Sequence, residues 1–250
     1  MSTFIDLLRQ HRHELEQDYG HHFNSDIKRA ISAMFRVASS TLKDFAHRQT
    51  RGELGFTIVL HTHSRKRELH PHLHVIVAGG QYDAKRHQWF KGKKNYLFNE
   101  FALAKVWRAR MLESINQTIP VILPRDVPSK WVVDCRCVGY VLPALQYLSR
   151  YLYRGVLPDK DIKSVTENEV TFEYVDGKTK QRRSRTLPIT QFLWLILQHV
   201  LPKGLQRVRD YGFLRGNAHQ LCLQIQLLFL SASELYRPVS RTAQQRVVRS

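Results

Sequence analysis

Cysteine is scarce. The 250 residues hold three, Cys135, Cys137 and Cys222. An odd, sparse set without any CxxC pair excludes a disulfide framework and a cysteine zinc cluster, and it suits a reducing cytoplasm. Long apolar runs are lacking too. The longest, Phe192 to Leu201 and Leu221 to Leu230, are short and interrupted by Gln and His, so no membrane span is expected. Met1 to Asp6 shows no basic stretch leading into an apolar one, so no secretory leader is expected. There is no internal repeat and no long low-complexity segment. Acidic residues are in short supply: 21 Asp+Glu face 39 Lys+Arg, a formal net charge of +18. Such an imbalance attracts a polyanion through counterion release, and nucleic acid is the usual one, ahead of a membrane surface.

What is present can fold. With 43% hydrophobic residues, the chain can bury a full core as one large domain or one domain with appendages. Phe4, Leu7, Leu8 and Leu15 mark a short amphipathic helix over residues 1–19, and Ser25-Asp26 can cap a second reaching about Arg48. Leu54 to Leu60, continuing into His61-Thr62-His63, and His72 to Ala78 predict two paired strands, the second ending at Gly79-Gly80. A short strand is expected around His87 to Phe90. A long basic helix carries Phe98, Phe101, Val106, Leu112 and Ile115 and stops before Pro120. Trp131 to Cys137 reads as a strand, 141–154 as a helix, and Thr171 to Val175 with Arg185 to Leu187 as a hairpin about Asp176-Gly177. Further helices are expected at Ile189 to Val200 and about His219 to Leu235, with a loose, basic tail from Pro238.

The histidines carry the first chemical signal. In His70-Pro71-His72-Leu73-His74, strand alternation puts His72 and His74 on one face and Leu73 on the other. Two imidazoles so placed make a metal clamp. His61 and His63 share a face of the preceding strand, and either can supply a third nitrogen if the strands pair antiparallel. Three neutral nitrogens with open positions would hold a divalent ion that polarises a phosphate oxygen. His70, and whichever of His61 and His63 is unused, read as solvated or in a DNA path, and the other histidines, His11, His13, His21, His22 and His87 among them, as surface residues.

The second signal is the run from Gln146 to Arg154. At helical spacing Val141, Leu142, Leu145, Leu148 and Leu152 form the buried face. Tyr147 and Tyr151, four apart, fall together on the opposite side with Arg150 and Arg154 beside them; Tyr153 sits at the apolar edge as a packing residue. Phenols flanked by guanidiniums suit attack on a phosphodiester. The alternative is that these tyrosines pack on a neighbouring helix.

Together these motifs resemble a known family. Leu60-His61-Thr62 with His70 to Gly80 looks like the HUH strand pair of rolling-circle insertion-sequence transposases of the insertion sequence ninety-one type. Tyr147-Leu148-Ser149-Arg150-Tyr151 is similar to their two-tyrosine motif, and Leu201-Pro202-Lys203-Gly204 with Arg207 to Leu214 resembles their downstream stretch. The resemblance runs from about Val37 to Leu230. It implies an α+β fold: a small antiparallel sheet covered by helices, with a basic C-terminal hairpin and helices. It also implies a Mg²⁺- or Mn²⁺-dependent nick in single-stranded DNA, or in hairpin element ends, through a 5′-phosphotyrosine link, in a nucleoid-associated cytoplasmic protein. His61, eleven residues before His72, matches the three-histidine spacing of conjugative relaxases and is preferred over His63.

The division expected on this basis is an N-terminal helical segment (1–36), a nuclease core with metal site and tyrosine helix (37–160), a basic hairpin with C-terminal helices (161–237) and a tail (238–250). Lys178, Lys180, Arg182, Arg183 and Arg185 are the candidate phosphate-gripping residues outside the tyrosine helix. The chain departs from the family pattern in one respect. The zinc-binding module and first sheet strand expected between Phe35 and Arg36 are missing, which predicts an unpaired sheet edge or a substitute strand. A DNA-binding remnant without catalysis, and a relaxase or replication initiator, are the competing readings.

Overall fold

A computed structural model describes residues 25–50, 52–64, 66–92, 98–118, 127–138, 156–201 and 203–234. Helix α1 (Ser25–Thr50) leads into strands β1 (Glu53–His63), β2 (Leu69–Asp83) and β3 (Gln88–Lys91), then helix α2 (Glu100–Thr118). Strands β4 (Ile162–Val165), β5 (Glu169–Val175) and β6 (Arg182–Pro188) follow, with helix α3 (Ile189–Leu197), strand β7 (Val208–Tyr211) and helix α4 (His219–Glu234). The fold is α+β, as expected. Among the described residues the strands form two antiparallel sheets, ordered β3-β2-β1-β7 and β4-β5-β6.

Sequence dictates which face of the first sheet is apolar. Leu54, Phe56, Ile58 and Leu60 alternate along β1 and are buried against Ile31, Phe35, Ala38, Leu42 and Ala46. The latter recur at three- and four-residue intervals along α1, so they share a helical stripe. Burying a side chain such as Phe56 contributes roughly 1.5–3 kcal/mol relative to exposure. Helix α2 docks beside α1 through Arg110–Asp44 (2.6 Å) and Arg36–Ser114 (2.7 Å). With one face of β1 committed to the helices, Val59 and His61 face the other side, where Val59 lies opposite His74.

The flank of β1 is not left open. Phe56 to Val59 pair with Tyr211 to Val208, and the Leu60 N–H donates to the Arg207 carbonyl. A late segment of the chain covers this flank over Phe56 to Val59, and β7 is itself the outer strand of the sheet. Thr57 and Asp210 also bond side chain to side chain at 2.6 Å. Beyond β7 the end of β1 that carries His61 and His63 has a strand partner only in β2 among the described residues.

Two expected elements differ. β2 runs through Gly79-Gly80 to Asp83, because Gly80 lets the Trp89 indole of β3 approach where any Cβ would collide with it. Trp131 to Cys137 forms no strand. Its alternation is real: Val133 and Cys135 pack on the main core and Trp131 lies 6.5 Å from Trp107. Its backbone bonds to a side chain instead, Cys135 N–H donating to Glu100 Oε1 at 2.8 Å. The second sheet has its own core, in which Val170 and Phe172 of β5 meet Phe192, Leu193 and Leu195 of α3. The β5–β6 hairpin is present, but its loop spans Asp176 to Gln181. Asp176 Oδ1 accepts the N–H groups of Lys178 and Thr179, which lengthens the turn beyond a two-residue Asp-Gly connection.

Candidate metal centre

Antiparallel pairing puts His61 directly opposite His72, with His74 opposite Val59. The imidazoles of His61, His72 and His74 therefore meet on one face. Ring centroids lie 4.1 Å apart for His61–His74, 5.2 Å for His61–His72 and 5.0 Å for His72–His74. One potential ligand nitrogen from each residue lies within 4.8 Å of the others. A register irregularity between His61 and His63 separates the two alternatives. It directs His63 to the His199 ring, 5.4 Å away, and leaves His61 with the pair on β2.

The protonation chemistry fits a metal. A metal-bound imidazole must present a lone pair. Burial, then the neighbouring His74, His72 and His63, then Arg207, pushes His61 down to about 3. Burial and His72 lower His74 as well. His72 Nδ1 lies 2.7 Å from the His70 carbonyl. A carbonyl only accepts, so Nδ1 carries a proton and Nε2 is the nitrogen left to ligate, as outer-shell bonds to metal-bound histidines commonly arrange. The donor set is three nitrogens, fewer than a divalent ion's usual coordination number, which suits an ion that takes its remaining oxygen ligands from water or phosphate.

Basic groups crowd this end of the sheet. His63 is lowered to about 4 by burial, then by His199, Arg67 and Arg207. Arg207 follows from its bond to Leu60, one residue before His61. Neither His199 nor Arg207 was singled out among the sequence candidates. The available signal was their position around Leu201-Pro202-Lys203-Gly204, the motif resembling the family's downstream stretch.

The other candidates divide. Lys178, Lys180 and Arg183 are exposed on the β5–β6 hairpin. Arg182 is drawn to Glu173 at 2.9 Å, and Arg185 to Glu68 at 3.8 Å. Tyr147, Tyr151, Tyr153, Arg150 and Arg154 lie outside the described residues, as do the helix of residues 1–19 and the tail from Pro238.

Fold and cluster define a class: a strongly basic α+β protein with three imidazoles converging on adjacent antiparallel strands. A family described as "Putative transposase" matches residues 55–221, well over half of the chain. The chain belongs to this family. It is 27% identical over 211 residues to a "Putative transposase y4qJ" of Sinorhizobium fredii (strain NBRC 101917 / NGR234), covering 75% of this chain and 53% of that protein. It is 28% identical over 216 residues to the "Transposase for insertion sequence element IS801" of Pseudomonas savastanoi pv. phaseolicola, covering 78% and 50%. The chain thus spans about half the length of these curated relatives. No solved structure matches it. Among the described residues no helix is long and apolar enough to cross a membrane.

Proposed function

We propose that this chain nicks and transfers single-stranded DNA as a rolling-circle transposase of the two-tyrosine HUH type. His61, His72 and His74 hold a divalent cation, Mg²⁺ or Mn²⁺, and Tyr147 and Tyr151 are the nucleophiles. The observation that carries the reading is the convergence of the three imidazoles in a member of a transposase family. A bound divalent ion would polarise a phosphate oxygen and offset the charge that builds there.

The protein's own groups do the rest. A tyrosine phenolate attacks phosphorus and the bond to the 3′ oxygen breaks. That oxygen leaves as a 3′-hydroxyl after gaining a proton, while the 5′-phosphate stays linked to the phenol oxygen. Attack by a 3′-hydroxyl on the phosphotyrosine reverses the exchange and joins strands, with the second tyrosine serving the second cleavage. Arg150 and Arg154 hold phosphate oxygens beside the phenols. Lys178, Lys180, Arg182, Arg183 and Arg185 supply charge along the DNA backbone, strongest where Lys178, Lys180 and Arg183 are exposed.

The test is incubation of the chain with single-stranded oligonucleotides covering the element's ends. A covalent protein–DNA adduct should form with Mg²⁺ or Mn²⁺ and vanish with a chelator. The Tyr147→Phe, Tyr151→Phe double variant should form none, with little change in stability. An adduct formed by that variant as well as by the parent would refute the nucleophile assignment. DNA binding without any adduct from the parent chain would identify a DNA-binding remnant instead.

A further inference from the structure

The turn joining β1 to β2 is clasped from outside by the unit containing the second sheet. Within the turn, Ser64 N–H donates to the Glu68 carbonyl and Arg67 N–H to the Ser64 carbonyl. Arg67 adopts a φ of 70°, the left-handed region that a long side chain rarely occupies. Such a conformation persists only where its surroundings enforce it. Three contacts do so. The Arg67 guanidinium faces Asp161 at 3.6 Å, Glu68 faces Arg185 at 3.8 Å, and His199 Nε2 donates to the Arg67 carbonyl at 2.8 Å.

These contacts are unequal. Both ion pairs are long and partly solvated, so each holds weakly. The His199 bond is short, and its donor is buried, with the residue 2% exposed. Its ring also stands edge-on to His63, on the strand that enters the turn. His199 stands two residues past the end of α3, the helix whose Phe192 and Leu193 anchor the second sheet, and its N–H donates to the Ile196 carbonyl. One side chain thus joins the unit of the second sheet to the turn and to the β1 arm of the histidine-bearing hairpin.

Register is what that connection protects. Strand alternation means that a one-residue slip of β2 would turn His72 and His74 to the helix-packed face, away from His61. The pairing is already irregular between His61 and His63, close to the turn. Past Val59, β7 no longer pairs with β1. The stretch that sets the histidine geometry therefore has the least support from the sheet itself.

We infer that His199 is a positioning residue for the histidine cluster, fixing the β1–β2 turn against the unit that bears the basic hairpin and so holding His61 in register with His72 and His74. This rests on the reading of that cluster as a metal site. It assigns a role to the segment preceding Leu201-Pro202-Lys203-Gly204.

The experiment uses the whole chain and two readouts: amide hydrogen exchange across Thr62 to Leu69, and Co²⁺ affinity from the visible absorption of the bound ion. His199→Ala should raise exchange in that segment by tenfold or more and weaken Co²⁺ by about tenfold. Far-ultraviolet circular dichroism should stay unchanged. His199→Gln, whose amide N–H reaches the position of Nε2, should restore both; the shorter Asn should not, and this pair decides the matter if the Ala variant does not fold. Parent-like exchange or parent-like Co²⁺ affinity in His199→Ala or His199→Asn would overturn the role of His199 alone. A parent chain that takes up no Co²⁺ would overturn the metal reading and this role together.

Discussion

At the scale of single residues, the cluster depends on keeping imidazoles neutral. His61 titrates near 6.5 when exposed and is held at about 3 in the fold, chiefly by burial. Between those values the unfolded chain binds a proton that the native chain refuses, so stability must rise with pH across that window. Above about 6.5 the residue adds no pH dependence. Urea unfolding measured from pH 7 down to 4 should therefore show a progressive loss of stability, and His61→Gln should make it shallower, the remainder coming from His63, His74 and His199, which burial also lowers. An equally steep profile in that variant would show that the cost lies elsewhere. Exchanging both His72 and His74 for Ala should abolish adduct formation while leaving DNA affinity within about twofold, because affinity rests on charge. The pairing of His72 with His74 was legible from strand alternation alone. Choosing His61 over His63 was not, since both share a face on an ideal strand and only the irregularity between them separates their rings.

At the scale of elements, legibility followed length and periodicity. α1, β1 and α2 carry apolar patterns long enough to read directly. β7 does not: Val208-Arg209-Asp210-Tyr211 holds two charges in four residues, and its strand state comes from pairing with β1. Trp131 to Cys137 shows the opposite case, alternation without a partner strand among the described residues. Immediately after β7 the chain must turn at Gly212, where φ is +62° and an added Cβ would run into the Leu54 carbonyl. Gly212→Ala should therefore destabilise the fold by about 2–4 kcal/mol, from left-handed strain plus the backbone clash. In the second sheet, Phe172 is fully buried beside Phe192, ring centroids 5.7 Å apart. Phe172→Ala should cost about 3–5 kcal/mol in denaturant unfolding. A loss below 1 kcal/mol in either variant would contradict the packing described.

At the scale of the whole molecule, a net charge of +18 makes binding a matter of ionic strength. Affinity for single strands should fall with log[salt] by about 0.7 for each phosphate neutralised. Triple replacement of Lys178, Lys180 and Arg183 by Ala should make that slope shallower by about 2. An unchanged slope would mean that the strand runs elsewhere. The charge and the antiparallel α+β character were legible in the sequence; the clasp between the two sheets was not, because its members are scattered from Arg67 to His199. The placement of β7 also reaches into biosynthesis. Thr57 and Asp210 bond across a separation of 153 residues. A ribosome adding about 5–20 residues per second needs roughly 8–30 s to supply that interval. Until then β1 is a nascent strand without its eventual neighbour, and His199 has not been made when His61, His72 and His74 emerge. The histidine cluster is thus synthesised well before the segments that brace it, and its scaffold closes only once His199 and Val208 to Tyr211 have been added.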